Sequence, residues 1–309
     1  MKKILVFLSF FISLQAYSAD YTVFAHGIVD GPGQMLRFQK AITTPKATAV
    51  QFADSKPATG LGINGIIGHC TKLFGKTVNR NAMYMGQTAD ITAISKTMST
   101  KIPANKSVIL YGCSRGSATI INYLAKFNPK NVKALVLDSC PASLPETIAP
   151  KLVKLGIHPS YSLSIFTRLF PAYPVSSVPP LHAIKNITNK NLPILLLHSK
   201  DDSSVPFEHS LMLYLEFKNQ GFTNVHLTAI AKGKHSFLLQ TPAAKSVYLK
   251  AVHTFYKKYD LPYDKALATG TCDAYNPNTT LVKQQISKYE ARVQKIIIGP
   301  KKFRVTSFF

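Results

Sequence analysis

Short apolar runs recur along the chain. Residues 21–25 (YTVFA), 47–53, 107–111 (SVILY), 133–137 (KALVL), 192–197 (LPILLL) and 225–230 are each rich in Val, Ile, Leu or Ala and bounded by polar or turn-forming residues. Runs this short and this rich in aliphatic residues predict strands buried on both faces of a parallel sheet. Helical patterns fall between them, at 90–98, 117–127, 207–219 and 243–259. The second ends at Asn128-Pro129, a helix stop, and the third is closed by Gly221, which suits a C-cap. Strands alternating with helices predict an α/β fold around one mostly parallel sheet of about six strands.

Two regions break the alternation. Residues 141–190 are rich in Pro and aromatics and too long for a simple crossover, so they predict a small lid insertion with its own short helices. In the extension 260–309, Val282, Ile286, Tyr289, Val293 and Ile296 recur every three or four residues. That spacing predicts an amphipathic helix packed on the body of the same chain, a dimer contact being the alternative. Residues 55–80 read as a long loop. Within it Gly60-Leu61-Gly62-Ile63-Asn64-Gly65 matches G-x-G-x-x-G literally, but the preceding strand ends several residues earlier and Pro57 intervenes. A dinucleotide site needs the first glycine directly after its strand, so no cofactor is predicted there, nor elsewhere.

The first 19 residues stand apart from the fold. Lys2 and Lys3 precede an apolar run over residues 4–14, then Gln15-Ala16-Tyr17-Ser18-Ala19 with small residues near its end. This is the layout of a secretory signal peptide, cleaved after Ser18 or Ala19. The run is too short for a membrane span, which needs ~20 residues. The expected location is secreted or periplasmic, with residues 20–309 forming the folded unit.

Charge is lopsided, with 37 Lys+Arg against 14 Asp+Glu and a formal net charge of +23. The lysines are scattered in ones and twos, without an Arg-rich stripe interleaved with aromatics, so a nucleic-acid partner is not expected. A solvated basic surface favours anionic substrates or an anionic envelope. The 4 cysteines have no metal-ligand spacing. Cys113 and Cys140 end apolar strands, where buried thiols are common. Cys70 and Cys272 lie in polar loop sequence and are the pair considered for a bridge.

Gly112-Cys113-Ser114-Arg115-Gly116 fits G-x-S-x-G. Chance alone would produce that pattern about one time in ten in a chain this long. Here it follows a predicted strand and opens a predicted helix, the context a nucleophile elbow requires. A serine needs a base to take its proton, and the base needs an acid to hold it. Leu196-Leu197-His198-Ser199-Lys200-Asp201-Asp202-Ser203-Ser204-Val205-Pro206 resembles the H-G-x-x-D-x-x-V-P segment of α/β-hydrolases, with Ser199 in place of the glycine. Gly233-Lys234-His235-Ser236-Phe237 resembles the G-x-H-x-F segment of that family.

The chain therefore resembles an α/β-hydrolase over residues 21–259, lacking the family's first two strands. The resemblance implies a Ser114–His235–Asp202 triad. It also implies an oxyanion hole from the backbone N–H groups of Arg115 and Ile28, the latter on the loop after His26-Gly27. Asp201 and Asp138 are rival acids. The register to Val205-Pro206 favours Asp202. His26 is expected to orient the Ile28 loop. His69, His158, His182, His198, His209, His226 and His253 are read as ordinary core or surface residues. The Cys113 thiol should point inward, since the elbow exposes only its central residue. The activity expected is ester hydrolysis through an acyl-enzyme, with Tyr161, Leu163, Ile165, Phe166 and Phe170 of the lid facing an apolar acyl or aromatic group. Peptide hydrolysis of prolyl-oligopeptidase or aminopeptidase type is the second reading. A non-catalytic binding protein on the same scaffold is the third, and the complete triad speaks against it.

Overall fold

The computed structural model describes residues 19–28, 32–42, 46–53, 70–73, 76–79, 84–174, 176–273, 275 and 279–298. The strands are β1 (Tyr21–Ala25), β2 (Ala47–Ala49), β3 (Cys70–Leu73), β4 (Lys76–Asn79), β5 (Val108–Cys113), β6 (Val132–Asp138), β7 (Ile194–Ser199) and β8 (Val225–Ile230). Six of them form one sheet in the order β2-β1-β5-β6-β7-β8. Every pairing in that sheet is parallel. β3 and β4 form an antiparallel hairpin inside the stretch read as loop. The G-x-G-x-x-G segment and residues 1–18 lie outside the described residues.

The helices are α1 (Pro32–Ala41), α2 (Ala89–Lys101), α3 (Arg115–Phe127), α4 (Leu144–Lys154), α5 (Pro159–Leu169), α6 (Pro180–Ala183), α7 (Glu208–Asn219), α8 (Pro242–Lys258) and α9 (Thr279–Ile298). They cover both faces of the sheet, and the period-2 pleat explains why the central strands β5, β6 and β7 carry apolar residues toward both sides. On β5, Val108 and Leu110 enter one core with residues of α2, α3 and α7, whereas Ile109, Tyr111 and Cys113 enter a second core with α1 and α8. β7 divides the same way, with Ile194 and Leu196 against Leu195 and Leu197. α1 has no counterpart in the sequence reading. Its buried face is only Gln34, Met35 and Phe38, too few apolar positions to show a period.

The helix stops behave as the sequence predicts. Asn128 takes a left-handed conformation (φ 44°) with its N–H on the Leu124 carbonyl. Gly221 (φ +83°) closes α7, and the Phe222 N–H reaches back to the Phe217 carbonyl at 3.1 Å.

Residues 141–190 form α4, α5 and α6, with a small core of their own. Leu144, Leu152, Phe166, Phe170 and Tyr173 pack around Met85, with Ile28 at the margin. This corrects the expected lid lining. Phe166 and Phe170 are spent on internal packing, and Tyr161 is 63% exposed. The Leu163 side chain lies outside the described residues. The lid is tied down rather than free. His209 of α7 accepts the Ala142 N–H at its Nδ1 (3.2 Å), so its Nε2 carries the proton and faces Thr147 Oγ1 (3.3 Å) and the Tyr289 hydroxyl of α9 (3.1 Å). Burial holds this imidazole far below its ordinary range, at about 3, so the network is built on a neutral ring. α9 packs on α4, α5 and α7, burying Val282, Tyr289 and Val293 in the first core. Ile296's side chain lies outside the described residues.

Candidate active site

All the candidate residues sit at the C-terminal ends of the parallel strands, where an open α/β sheet gathers its loops. Ser114 joins β5 to α3. Its backbone is strained (φ 53°, ψ −118°), a conformation that costs about 1–3 kcal/mol for a non-glycine residue. The turn exists because its glycines let backbone approach backbone. A Cβ on Gly112 would lie 2.5 Å from the Ser117 Cα, and one on Gly116 would lie 2.0 Å from the Ala25 carbonyl oxygen. The Ser114 N–H donates to the Asp138 carbonyl at 2.8 Å, fixing the elbow to β6.

His235 follows β8 and Asp202 follows β7. His235 Nε2 lies 2.9 Å from Ser114 Oγ, and its Nδ1 lies 2.6 Å from Asp202 Oδ2. The structure thus brings Ser114, His235 and Asp202 into one hydrogen-bonded line. The two Asp202 oxygens do separate work. Oδ1 accepts the Ser204 and Val205 N–H groups at 2.8 and 2.9 Å, which is the physical content of the spacing to Val205-Pro206. Oδ2 faces His235 and also His198 Nε2 at 3.3 Å. Burial raises the Asp202 pKa, but the hydrogen bonds and charges of His198 and His235 outweigh it, and the carboxyl falls well below its usual range.

The rival acids have other partners. Asp201 Oδ1 accepts from Ser199 Oγ at 2.5 Å and from the Gly233 N–H at 2.8 Å, so it ties the acid loop to the His235 loop. Asp138 bonds Ser139 Oγ (2.7 Å) and the Tyr248 hydroxyl (3.1 Å), and Tyr248 in turn bonds Tyr111. It reaches into the second core, where burial pushes its carboxyl up.

The loop after β1 lies against the elbow: a Cβ on Gly27 would be 3.6 Å from Ser114 Cβ. Both sides of Gly27 are held. Its N–H donates to Gln34 Oε1 at 2.7 Å, and its carbonyl accepts His26 Nδ1–H at 2.8 Å. That carbonyl shares a rigid peptide plane with the Ile28 N–H, so His26 sets the direction in which that N–H points. The expected orienting role of His26 acquires a geometry here.

Three contributors escape sequence reasoning. Gln34 reaches the loop from an unrecognised helix. His198 is more than a core residue. Its Nε2–H faces both the Val205 carbonyl (2.9 Å) and Asp202, while Nδ1 lies 2.6 Å from Ser210 Oγ. Its place in the H-x-x-x-D segment was the available signal. Asp90, in the first turn of α2, forms a fully buried bidentate pair with Arg115 (2.7 and 2.6 Å), and the guanidinium also covers the Phe52 ring at 4.6 Å. Asp90 further accepts the Gly86 N–H at 2.7 Å. The residue after Ser114 is therefore anchored through its side chain. Asp90→Ala strands a buried guanidinium and is expected to cost about 3–5 kcal/mol in denaturant unfolding. A loss below about 1 kcal/mol would mean that water reaches Arg115.

Cys272 is a buried thiol in no disulfide; the side chain of Cys70, its expected partner, lies outside the described residues. Cys113 and Cys140 are buried and in no disulfide.

This fold is that of the α/β-hydrolases. Residues 164–260 match the model of the prolyl oligopeptidase family. Among solved structures, an esterase from Pyrococcus furiosus superposes with a TM-score of 0.53 at 19% identity, over 78% of this chain and 83% of that one. The acylaminoacyl peptidase of Pyrococcus horikoshii gives a TM-score of 0.51 at 16% identity, over 80% of this chain but only 38% of its own. No curated protein sequence matches the chain.

Proposed function

We propose that the protein is an exported serine esterase working through an acyl-enzyme. The observation that carries this reading is the hydrogen-bond line from Asp202 through His235 to Ser114. Ser114 Oγ attacks the ester carbonyl carbon as its proton passes to His235 Nε2. Asp202 stabilises the imidazolium through Nδ1–H. The carbonyl oxygen gains negative charge and receives the Arg115 and Ile28 N–H groups. The imidazolium then protonates the departing alkoxide. Water repeats the sequence on the acyl-enzyme, returning the acid product and free Ser114. Export rests on the Lys2-Lys3 start, the apolar run and the small residues ending at Ala19. The +23 charge supports residence beside an anionic envelope.

The lid chemistry supports an ester over an N-terminal peptide bond. A free ammonium needs a carboxylate to receive it. Glu146 is the only acid between residues 141 and 190, against Lys151, Lys154, Arg168, Lys185 and Lys190. Burial, with Glu290 nearby, pushes the Glu146 carboxyl up and weakens it as a counter-charge. Lys151 Nζ reaches the Ser204 carbonyl at 2.5 Å, beside the acid loop. A peptidase reading is favoured by the match over residues 164–260. Matched p-nitrophenyl esters, with and without a free α-amine, separate the two. The neutral acyl ester is expected to give the higher kcat/KM, by a margin that shrinks as salt screens the exposed charges. A clear preference for the free-amine ester would move the protein to the aminopeptidase reading.

A further inference from the structure

A second cluster of reactive side chains lies at the open edge of the sheet. β8 is the edge strand, and the chain after α8 returns along it. Thr228 Oγ1 donates to the Cys272 carbonyl at 2.8 Å, and the Tyr275 N–H donates to the Leu227 carbonyl at 3.1 Å. This pairing sets Cys272 and Asp273 beside His226. One ligand atom from each of the three residues lies within 4.8 Å of the others.

We propose that His226, Cys272 and Asp273 form a structural divalent-metal site, and that the ion it fits is zinc. An imidazole, a thiolate and a carboxylate make a borderline-soft donor set, which suits zinc and not the oxygen-seeking magnesium or calcium. Three protein ligands leave a fourth tetrahedral position. The Asp273 side chain is 42% exposed, so water reaches that position.

The surroundings match what a metal-bound histidine needs. A ligating imidazole is held by a hydrogen bond at its other nitrogen. His226 Nε2 lies 2.6 Å from the Tyr259 hydroxyl, and Nδ1 faces Asp273 Oδ1 at 2.5 Å. Without metal, Nδ1–H donates to the carboxylate and the Tyr259 hydroxyl donates to Nε2. On binding, the ring takes the other tautomer. Nδ1 gives its lone pair to the metal, and Nε2–H donates to the Tyr259 oxygen. Cys272 releases its thiol proton to solvent and binds as thiolate. Lys258 Nζ stands 3.8 Å from the other Asp273 oxygen, which leaves Oδ1 for the metal while its charge lowers the affinity.

His226 lies near the start of β8, whereas the loop to His235 leaves its far end. The ion would therefore pin the returning segment onto the sheet edge without touching the chemistry at Ser114.

The test uses the full chain, stripped with chelator and titrated with cobalt(II) and zinc(II). Cobalt is expected to produce a thiolate-to-metal charge-transfer band that zinc displaces, and zinc is expected to raise Tm with concentration. Cys272→Ser should abolish the band. Asp273→Asn should weaken zinc binding about tenfold or more, and Tyr259→Phe about 10–100-fold. Ester turnover should be the same with and without zinc. A band that persists in Cys272→Ser, or a parent Tm unmoved by zinc, would overturn the site. Should Cys272→Ser fail to fold, Asp273→Asn decides alone, because its side chain is partly exposed. Unchanged zinc affinity in that variant rejects the proposal.

Discussion

Ser114→Ala is expected to lose all labelling by a fluorophosphonate probe and on the order of 10⁶ in kcat. The size follows from how the three side chains act. Once the hydroxyl is gone, His235 has no proton to take, and only binding and the backbone N–H groups continue to favour the transition state. The change should be almost silent in structure, since Ser114 Oγ makes its bond to His235 and the elbow is held by its glycines, by the Asp138 carbonyl and by the Asp90–Arg115 pair. Cys113→Ala is the control. Its thiol is fully buried among residues of the second core, on the side of the sheet away from α3, so labelling should survive. Label retained by Ser114→Ala would remove Ser114 from the mechanism.

What the sequence revealed follows from where the information is local. The central strands of the main sheet are legible because burial on both faces demands continuous apolar runs, as at 108–111, 134–137 and 194–197. The order of Ser114, Asp202 and His235 was legible because each sits in a short segment of restricted composition. The D-x-x-V-P spacing turned out to reflect two N–H groups on one carboxylate oxygen. The β3–β4 hairpin is not legible, since its residues CTKL and KTVN carry neither an apolar run nor a strict alternation. Nor was the pairing of Asp90 with Arg115. An acid in a helix's first turn is ordinarily explained by the helix dipole, and nothing local says that its partner lies on another helix. The packing inside the lid is not legible for a related reason. Composition showed that residues 141–190 are aromatic, but not that Phe166 and Phe170 would pack against each other, with ring centroids 5.1 Å apart.

Asp202→Asn is expected to lower kcat by about 10⁴ while leaving the fold in place. The Asp202 Oδ1 contacts to Ser204 and Val205 survive in an asparagine, so the acid loop keeps its turn. The loss is at Oδ2. Its replacement, an amide NH₂, donates where a carboxylate accepts, and His235 Nδ1 must then become the acceptor. The ring's single proton moves to Nε2, which points at Ser114 Oγ and can no longer take its proton. The imidazolium also loses the negative charge that stabilised it. His198 loses an acceptor as well, but keeps the Val205 carbonyl at 2.9 Å. Asp138→Asn is the matched experiment on the rival carboxyl. Asp138 touches Ser139 and Tyr248 and makes no hydrogen bond to His235, so its loss should be felt as stability far more than as turnover. Measuring kcat together with Tm separates the two effects. If Asp138→Asn were the inactive, stably folded variant and Asp202→Asn retained activity, the acid would lie after β6, and the hydrogen bond at 2.6 Å between Asp202 and His235 would be structural only.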